Sequence, residues 1–73
     1  MRLTDRQREI FEWVLSYQAL YCCSPSLREI ARQHHITWQV AQQHIGAIVH
    51  KGYLEPITNA EGQHRGWRAV PVG

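Results

Sequence analysis

The chain combines long stretches in which apolar residues recur with helical spacing and, near its end, two short runs of aromatic and branched residues. The first stretch places apolar side chains three and four positions apart, at Ile10, Phe11, Val14 and Tyr17. Just before it, Thr4 and Gln7 form a capping-box pattern, in which each side chain pairs with the backbone N–H of the other residue. The two signals together predict a first helix over residues 5–20.

A short second helix is predicted over residues 27–34. Ser26 and Glu29 form a second capping-box pattern, and the apolar positions that follow fit one face of a helix. Because no glycine stands at the end of this helix, we expect His34 or His35 to take the left-handed conformation that commonly closes a helix.

A third helix is predicted over residues 38–50, with Thr37 as its N-cap and Gly52 at its C-terminal end. The face predicted to point inward carries Ala41, His44, Ile45 and Ile48. We interpret His44 as a hydrogen-bonded core residue because it lies among these apolar positions.

Residues 53–57 and 66–70 predict a β-hairpin, or wing, with a polar tip over residues 58–65. Pro56 has no N–H to donate, which is typical of an edge strand. Three helices with a tight link between the second and third, followed by a two-stranded hairpin, predict a winged helix-turn-helix, a mainly α fold. With 73 residues the chain has room for a single domain, residues 1–73.

Composition and charge narrow the class of protein. A hydrophobic content of 44% is that of an ordinary globular domain, which argues against disorder. No run of 18 apolar residues predicts a membrane span, and the polar start lacks the pattern of a signal peptide, so we expect a cytoplasmic protein. The formal net charge of +2 permits a local basic patch without requiring a polyanionic partner.

The outward face of the third helix is polar but uncharged. Glutamine can pair bidentately with adenine in the major groove, and valine can contact a thymine methyl group. Glutamine is also a good helix former at any exposed site. Trp38 either packs back onto the second helix or stays outside and contacts DNA. The candidate base-reading residues are Thr37, Trp38, Gln39, Val40, Gln42 and Gln43.

Cations around this face are candidates for contacts to phosphate or to the minor groove. Arg28 lies in the first turn of the second helix, where backbone N–H groups also favour a phosphate. Lys51 either contacts phosphate or only caps the third helix. The full set is Arg28, Lys51, His64, Arg65 and Arg68.

Other chemistries find little support in the sequence. Cys22 and Cys23 are adjacent, and a disulfide between adjacent cysteines strains the peptide between them. A metal site with His34 and His35 lacks the spacers of structural zinc pairs. No Gly-rich phosphate loop or catalytic constellation is recognisable. We therefore expect no metal, no cofactor and no enzymatic activity.

Three motifs lie in order along the chain and together are fairly specific: Leu3-Thr4-x-Arg6-Gln7-x-x-Ile10-Phe11, Pro25-Ser26-x-Arg28-Glu29-Ile30-Ala31 and His44-Ile45-x-Ala47-Ile48-x-x-Lys51-Gly52-Tyr53-Leu54. They resemble the N-terminal DNA-binding domain of the LexA repressor family. The resemblance implies a winged helix fold and operator binding by the third helix. By position, it assigns base reading to Thr37, Gln39, Val40, Gln42 and Gln43.

The sequence also departs from that family. Family repressors carry a second domain with a self-cleavage site and the main dimer interface, and we expect neither in these 73 residues. Cys22-Cys23 replaces the Gly-x-Pro that usually precedes Pro25, and His35 stands near the place of a usual glycine. Because the reading residues differ as well, the operator sequence does not carry over.

The leading hypothesis is a transcriptional regulator that binds double-stranded DNA sequence-specifically, with residues 38–50 in the major groove and the wing, residues 53–70, on the adjacent backbone. One such module buries only about 600–1,000 Å² on DNA, so we expect a homodimer on a two-part site or a protein partner on DNA. A domain this short suits a phage or mobile-element regulator.

The alternative is a winged-helix factor that binds and modulates a partner protein such as RNA polymerase. The uncharged face with Trp38 and Val40 suits such a partner equally well. Convergence of the cations around the third helix would favour DNA.

Overall fold

A computed structural model describes residues 2–58, 60–62 and 64–70, with only the backbone described at 64 and 65. Within these described ranges, no helix has the length and apolar character that a membrane span requires.

The first helix, α1, spans Asp5–Tyr21, one residue beyond its predicted end. The predicted capping box is confirmed. The Thr4 hydroxyl accepts from the Gln7 N–H at 3.2 Å, and the Gln7 side-chain oxygen accepts from the Thr4 N–H at 3.1 Å. The helix ends at Cys22, which is left-handed at φ 58.

The second helix, α2, spans Leu27–His34, as predicted. The Ser26 hydroxyl accepts from the Glu29 N–H at 3.1 Å. The other half of the predicted capping box does not form. Glu29 lies close to Tyr17 of α1, and this carboxylate together with burial raises the pKa of Tyr17 to about 12.

The expected left-handed residue at the end of α2 is His35, at φ 55. Its N–H donates to the Arg32 carbonyl at 3.4 Å, and the Ile36 N–H donates to the Ala31 carbonyl at 3.0 Å. This pair of bonds is the Schellman arrangement that satisfies the last carbonyls of a helix. It reverses the chain within three residues and so makes the turn of the helix-turn-helix tight.

The third helix, α3, spans Trp38–His50, as predicted, and Thr37 is its N-cap. The chain leaves α3 through Gly52, at φ 88, and the Tyr53 N–H donates to the Ile48 carbonyl at 3.1 Å. A left-handed glycine at this point costs no steric strain.

The wing is an antiparallel hairpin of strands β1, Leu54–Thr58, and β2, His64–Ala69. Pro56 lies opposite Trp67, and the register shifts between Pro56 and Thr58. That irregularity lets pairing continue towards the tip, so β2 begins two residues before the predicted start at position 66.

The core lies where α3 packs against the other elements. The buried apolar residues are Ile10, Val14, Ile30, Ala31, Ala41, Ile45, Ile48, Leu54 and Trp67. The prediction for His44 is wrong in part, because this residue is only half-buried and does not belong to the core. Leu20 and Tyr21 also continue the apolar pattern of α1 but are 75% and 63% exposed.

The wing is attached to the helices through the turn between α1 and α2. The Ser24 hydroxyl accepts from the Trp67 N–H at 3.0 Å, and the Gln18 side-chain amide donates to the Trp67 carbonyl. Gly66 lies against the same turn, where a Cβ atom would collide with the Ser24 side chain. These contacts fix the base of the wing beside α3.

Candidate nucleic-acid interface

The first two turns of α3 carry the predicted base-reading residues on the side away from the core. Gln39, Gln42 and Gln43 are exposed, and Val40 is half-buried. Trp38 is 50% exposed and does not belong to the core, so part of its surface is available to a ligand.

Thr37 combines a structural contact with a remaining capacity to bind. Its hydroxyl oxygen accepts from the Val40 N–H at 3.3 Å, which caps α3. A hydroxyl also carries one hydrogen that can be donated, so Thr37 can cap the helix and donate to a phosphate at once.

The electrostatics at the start of α3 suit an anion. The first turn contains no acidic residue. The positive end of the helix dipole therefore points outward without a carboxylate to neutralise it.

The exposed face extends further along α3 than the residues predicted from the sequence. Gln39, Gln43, Gly46 and His50 follow one another at spacings of four, three and four, which places them on one side of the helix. Nothing lies within 4 Å of the position that a Cβ atom would take at Gly46. A glycine inside a helix costs about 1 kcal/mol relative to alanine, and that cost was the available signal for this position.

A groove runs along the flank of this face and separates it from the wing. Its volume is about 380 Å³, and it is lined by Leu27, Gln42, Ile45, Gly46, Val49, Pro56 and Trp67. Gln42 and Gly46 are thus exposed residues of α3 that also line the groove.

The predicted cations do not all gather at this face. Arg28 is exposed in the first turn of α2, directly after the groove residue Leu27. Lys51 lies at the other end of α3, about 20 Å from Thr37 by the rise of the helix. Its ammonium group donates to the Arg2 carbonyl at 3.0 Å and to the Gln7 side-chain oxygen at 2.7 Å.

The wing carries the three remaining predicted cations. Arg68 is exposed and forms an ion pair with Glu55 on the neighbouring strand. The side chains of His64 and Arg65 lie outside the described residues. Among the predicted cations whose side chains are described, Arg28 is therefore the one that is exposed and forms no ion pair.

The described residues do not form a metal-binding site. Among the described residues, no three His, Cys, Asp or Glu side chains come together in a way that could hold a metal ion. Cys22 and Cys23 are both free and exposed.

Comparison with known proteins identifies the family. The family of the LexA DNA binding domain matches residues 1–66 of this chain. The chain belongs to that family. The LexA repressor of Pseudothermotoga lettingae is 48% identical over 52 residues, which is 71% of this chain and 26% of the relative.

Two further LexA repressors are similar. That of Thermosipho africanus is 36% identical over 52 residues, 71% of this chain and 26% of the relative, and that of Thermotoga petrophila is 40% identical over 53 residues, 73% and 27%. The chain spans about a quarter of the length of these curated relatives.

Family membership identifies the functional class of this domain. It supports a DNA-binding transcriptional regulator and does not favour the protein-binding alternative. The structure agrees with the fold that the family resemblance implies, three helices followed by a two-stranded wing.

Proposed function

We propose that this LexA-family domain binds double-stranded DNA sequence-specifically, with the first two turns of α3 in the major groove. The observation that carries the proposal is the exposed, uncharged face of Gln39, Gln42 and Gln43 at the start of α3. The major groove is wide enough for an α-helix and presents a distinct pattern of donors and acceptors at each base pair.

The residues of this face suit A·T-containing sites. A glutamine amide donates and accepts at once, which matches the N6 and N7 atoms of adenine. Val40 is half-buried, so it offers a small apolar surface to a thymine methyl group rather than a long reach. Trp38, half-exposed beside the cap, supplies a flat apolar surface for a sugar or a base edge.

Contacts to the backbone would fix the register of α3 in the groove. We assign them to Arg28 and to the Thr37 hydroxyl at the starts of α2 and α3, and to His64 and Arg65 at the tip of the wing. Arg68 can join them by exchanging Glu55 for a phosphate. Lys51 acts mainly by holding the start of α1 against the end of α3.

A single domain gives a small interface, about 600–1,000 Å² on DNA. With a net charge of +2, its non-specific attraction to DNA is modest and falls steeply with salt. We therefore propose that two copies occupy a two-part site, or that a second protein on DNA supplies the missing contact area.

Selection of duplexes from a random DNA pool, at two salt concentrations, tests the proposal. We expect one enriched motif that persists at the higher salt. Two copies of that motif at fixed spacing would show how the protomers pair. Salt-sensitive binding without enrichment would contradict base reading. It would favour a protein partner as the ligand of the α3 face.

Gln42→Ala tests α3 directly. On the enriched site the variant should lose about 1–3 kcal/mol of binding free energy and should accept other bases at one position. Gln33→Ala is the matched control, because Gln33 is exposed on α2 and lies in a cavity between α1 and α2, away from the α3 face. Equal loss in the two variants would contradict the assignment.

A further inference from the structure

We infer that Cys22 and Cys23 form a two-thiolate site for trivalent arsenic compounds, and that occupation of this site loosens the wing. Binding of arsenic by the two cysteines does not depend on the proposed function. The consequence for DNA binding rests on the function proposed above.

Both thiols belong to one site. Cys22 and Cys23 are free and exposed, and both line the same shallow cavity of about 230 Å³. The other side of this cavity is formed by Ile57 and Arg68 of the wing. A ligand held by the two sulfur atoms would therefore lie between the α1–α2 turn and the wing.

Adjacent cysteines hold a bridging atom more readily than they hold each other. Consecutive Cα atoms are about 3.8 Å apart across a trans peptide, whereas disulfides usually join Cα atoms about 4.4–6.8 Å apart. A third atom inserted between the two sulfur atoms lengthens the bridge and relieves this strain. The pair is thus poorly suited to internal oxidation and well suited to chelation.

The number and softness of the ligands select the bound element. Thiolates favour soft ions, and structural zinc takes four ligands. No third His, Cys, Asp or Glu in the described parts of the chain joins the pair. Two-coordinate mercury and copper(I) favour sulfur atoms on opposite sides, which consecutive residues on one cavity wall do not offer. Trivalent arsenic is pyramidal and takes two neighbouring thiolates beside its own organic substituent.

The binding step is a ligand exchange without a change of oxidation state. With phenylarsine oxide, two As–S bonds form, and the As–O oxygen leaves as one water molecule together with both thiol protons. Arsenic remains trivalent, and the phenyl group stays attached. No oxidant or reductant is required.

The site adjoins the contacts that hold the wing. Cys22 closes α1 in the left-handed conformation, and its N–H donates to the Gln18 carbonyl at 2.9 Å. Gln18 and Ser24, on either side of the two cysteines, bind the carbonyl and the N–H of Trp67. A bridge between the sulfur atoms restricts this turn, and the phenyl group displaces Ile57 and Arg68 from it.

Mass spectrometry of the protein with phenylarsine oxide tests the binding half. The protein is first reduced with a phosphine, which adds no competing thiol. We expect one phenylarsenic group per chain with loss of one water molecule. An added dithiol should remove the group, and an equal concentration of thiol groups supplied as a monothiol should not.

Cys22→Ser and Cys23→Ser serve as matched variants, since each keeps one exposed thiol and a side chain of similar size. Both should lose the monothiol-resistant adduct. A stable adduct in either variant, or none in the parent protein, would overturn the site.

Binding of the selected duplex before and after loading tests the regulatory half. We expect loading to lower the affinity by about threefold to tenfold and to reduce the salt slope by about one, as for loss of one phosphate contact. The Cys22→Ser variant should not respond. An unchanged affinity would overturn the effect on the wing.

The two measurements separate the failures. If the reduced protein binds no duplex, the proposed function is contradicted. Mass spectrometry can still detect the arsenical adduct in that case. A protein that binds DNA but captures no arsenical contradicts this inference alone.

Discussion

His35 and Cys22 hold the left-handed backbone conformation, which is uncommon for residues that carry a Cβ atom. Their φ angles are 55° and 58°, and each closes a helix at a place where glycine is the usual residue. The left-handed region costs a residue with a Cβ atom about 1–2 kcal/mol. At both positions the backbone N–H donates to a carbonyl of the helix that ends there, and these bonds accompany the left-handed conformation.

His35→Gly should stabilise the fold. The substitution removes the steric cost at φ 55, and the gain exceeds the added entropy of the unfolded chain, so we expect about 1 kcal/mol more free energy of unfolding. Urea denaturation of the two proteins measures it. Gln33→Gly, two residues earlier and inside α2, should lose about 1 kcal/mol. A His35→Gly variant no more stable than its parent would contradict the strain.

His34 gives the fold a dependence on pH. Its Nε2 atom is buried without a hydrogen-bond partner among the described residues, and its ring packs edge-on against Trp13 at 5.7 Å. Burial lowers the pKa of His34, the Arg6 guanidinium lowers it further, and Glu9 opposes them. The folded state therefore binds a proton at His34 less readily than the unfolded state does.

The sign of the effect follows from proton linkage. Above the ordinary histidine pKa of about 6.5 both states are neutral at this position and stability does not change. As pH falls through that value the unfolded state takes up the proton first, so the free energy of unfolding decreases. His34→Phe, which keeps an aromatic ring against Trp13, should flatten the decrease between about pH 5 and 7.

Denaturant titrations at several pH values test this expectation. The control is His50→Gln, at an exposed position near the end of α3, where the pH dependence of the parent should persist. An unchanged slope in His34→Phe would assign the pH dependence to other groups.

At the scale of elements, the contact between the wing and the α1–α2 turn depends on Gly66. A Cβ atom there would collide with the Ser24 side chain, and φ is 116. Gly66→Ala should therefore lose more than about 2 kcal/mol of stability, from overpacking and backbone strain together.

Gly62 provides a matched comparison for Gly66. It also has a positive φ, of 81°, but nothing lies within 4 Å of its Cβ position. Gly62→Ala should pay the backbone cost alone. Thermal unfolding of the two variants separates the terms, and Ser24→Gly should partly restore Gly66→Ala by making room. Equal melting temperatures of the two alanine variants would show that the wing is not packed tightly against the turn.

The boundaries of the helices were predictable because they are set by local chemistry. Thr4, Ser26 and Thr37 accept from backbone N–H groups three residues away, and those patterns are visible in the sequence. The errors arose where a distant partner competes. Glu29, which lies close to Tyr17 of α1, does not complete its cap, and His44 is less buried than its neighbours in sequence indicate.

The candidate site was predictable to the same extent. Positions along α3 follow from its periodicity, so the exposed glutamines could be assigned in advance. The placement of Lys51 could not, because its partners Arg2 and Gln7 are more than forty residues away in sequence and meet it only through packing of α1 on α3.

At the scale of the whole molecule, one helix connects structure and recognition. The inward face of α3 contributes Ala41, Ile45 and Ile48 to the core, while its outward face, which we propose binds DNA, remains exposed. Because α1, α2 and β1 all pack against α3, its position in a groove is determined by the whole domain. A small domain of this kind holds α3 in a fixed position but offers little contact area to DNA.

Size then predicts how two copies share a site. The domain measures 32 × 29 × 23 Å, and one helical turn of DNA separates half-sites on the same face by about 34–36 Å. Two domains therefore fit side by side and approach each other at that spacing. We expect a duplex with two half-sites one turn apart to bind two copies cooperatively, with an affinity above that of two independent half-sites.

Insertion of about five base pairs, half a helical turn, moves the second half-site to the opposite face of the duplex and should abolish the cooperativity. Insertion of about ten base pairs restores the face but roughly doubles the separation, beyond the 32 Å length of one domain, so contact between the copies should remain lost. Fluorescence anisotropy at fixed salt measures binding to the original duplex and to the two duplexes with insertions. A duplex with a single half-site is the control. Cooperativity that survives the longer insertion would require chain beyond these 73 residues, or deformation of the DNA, to couple the copies.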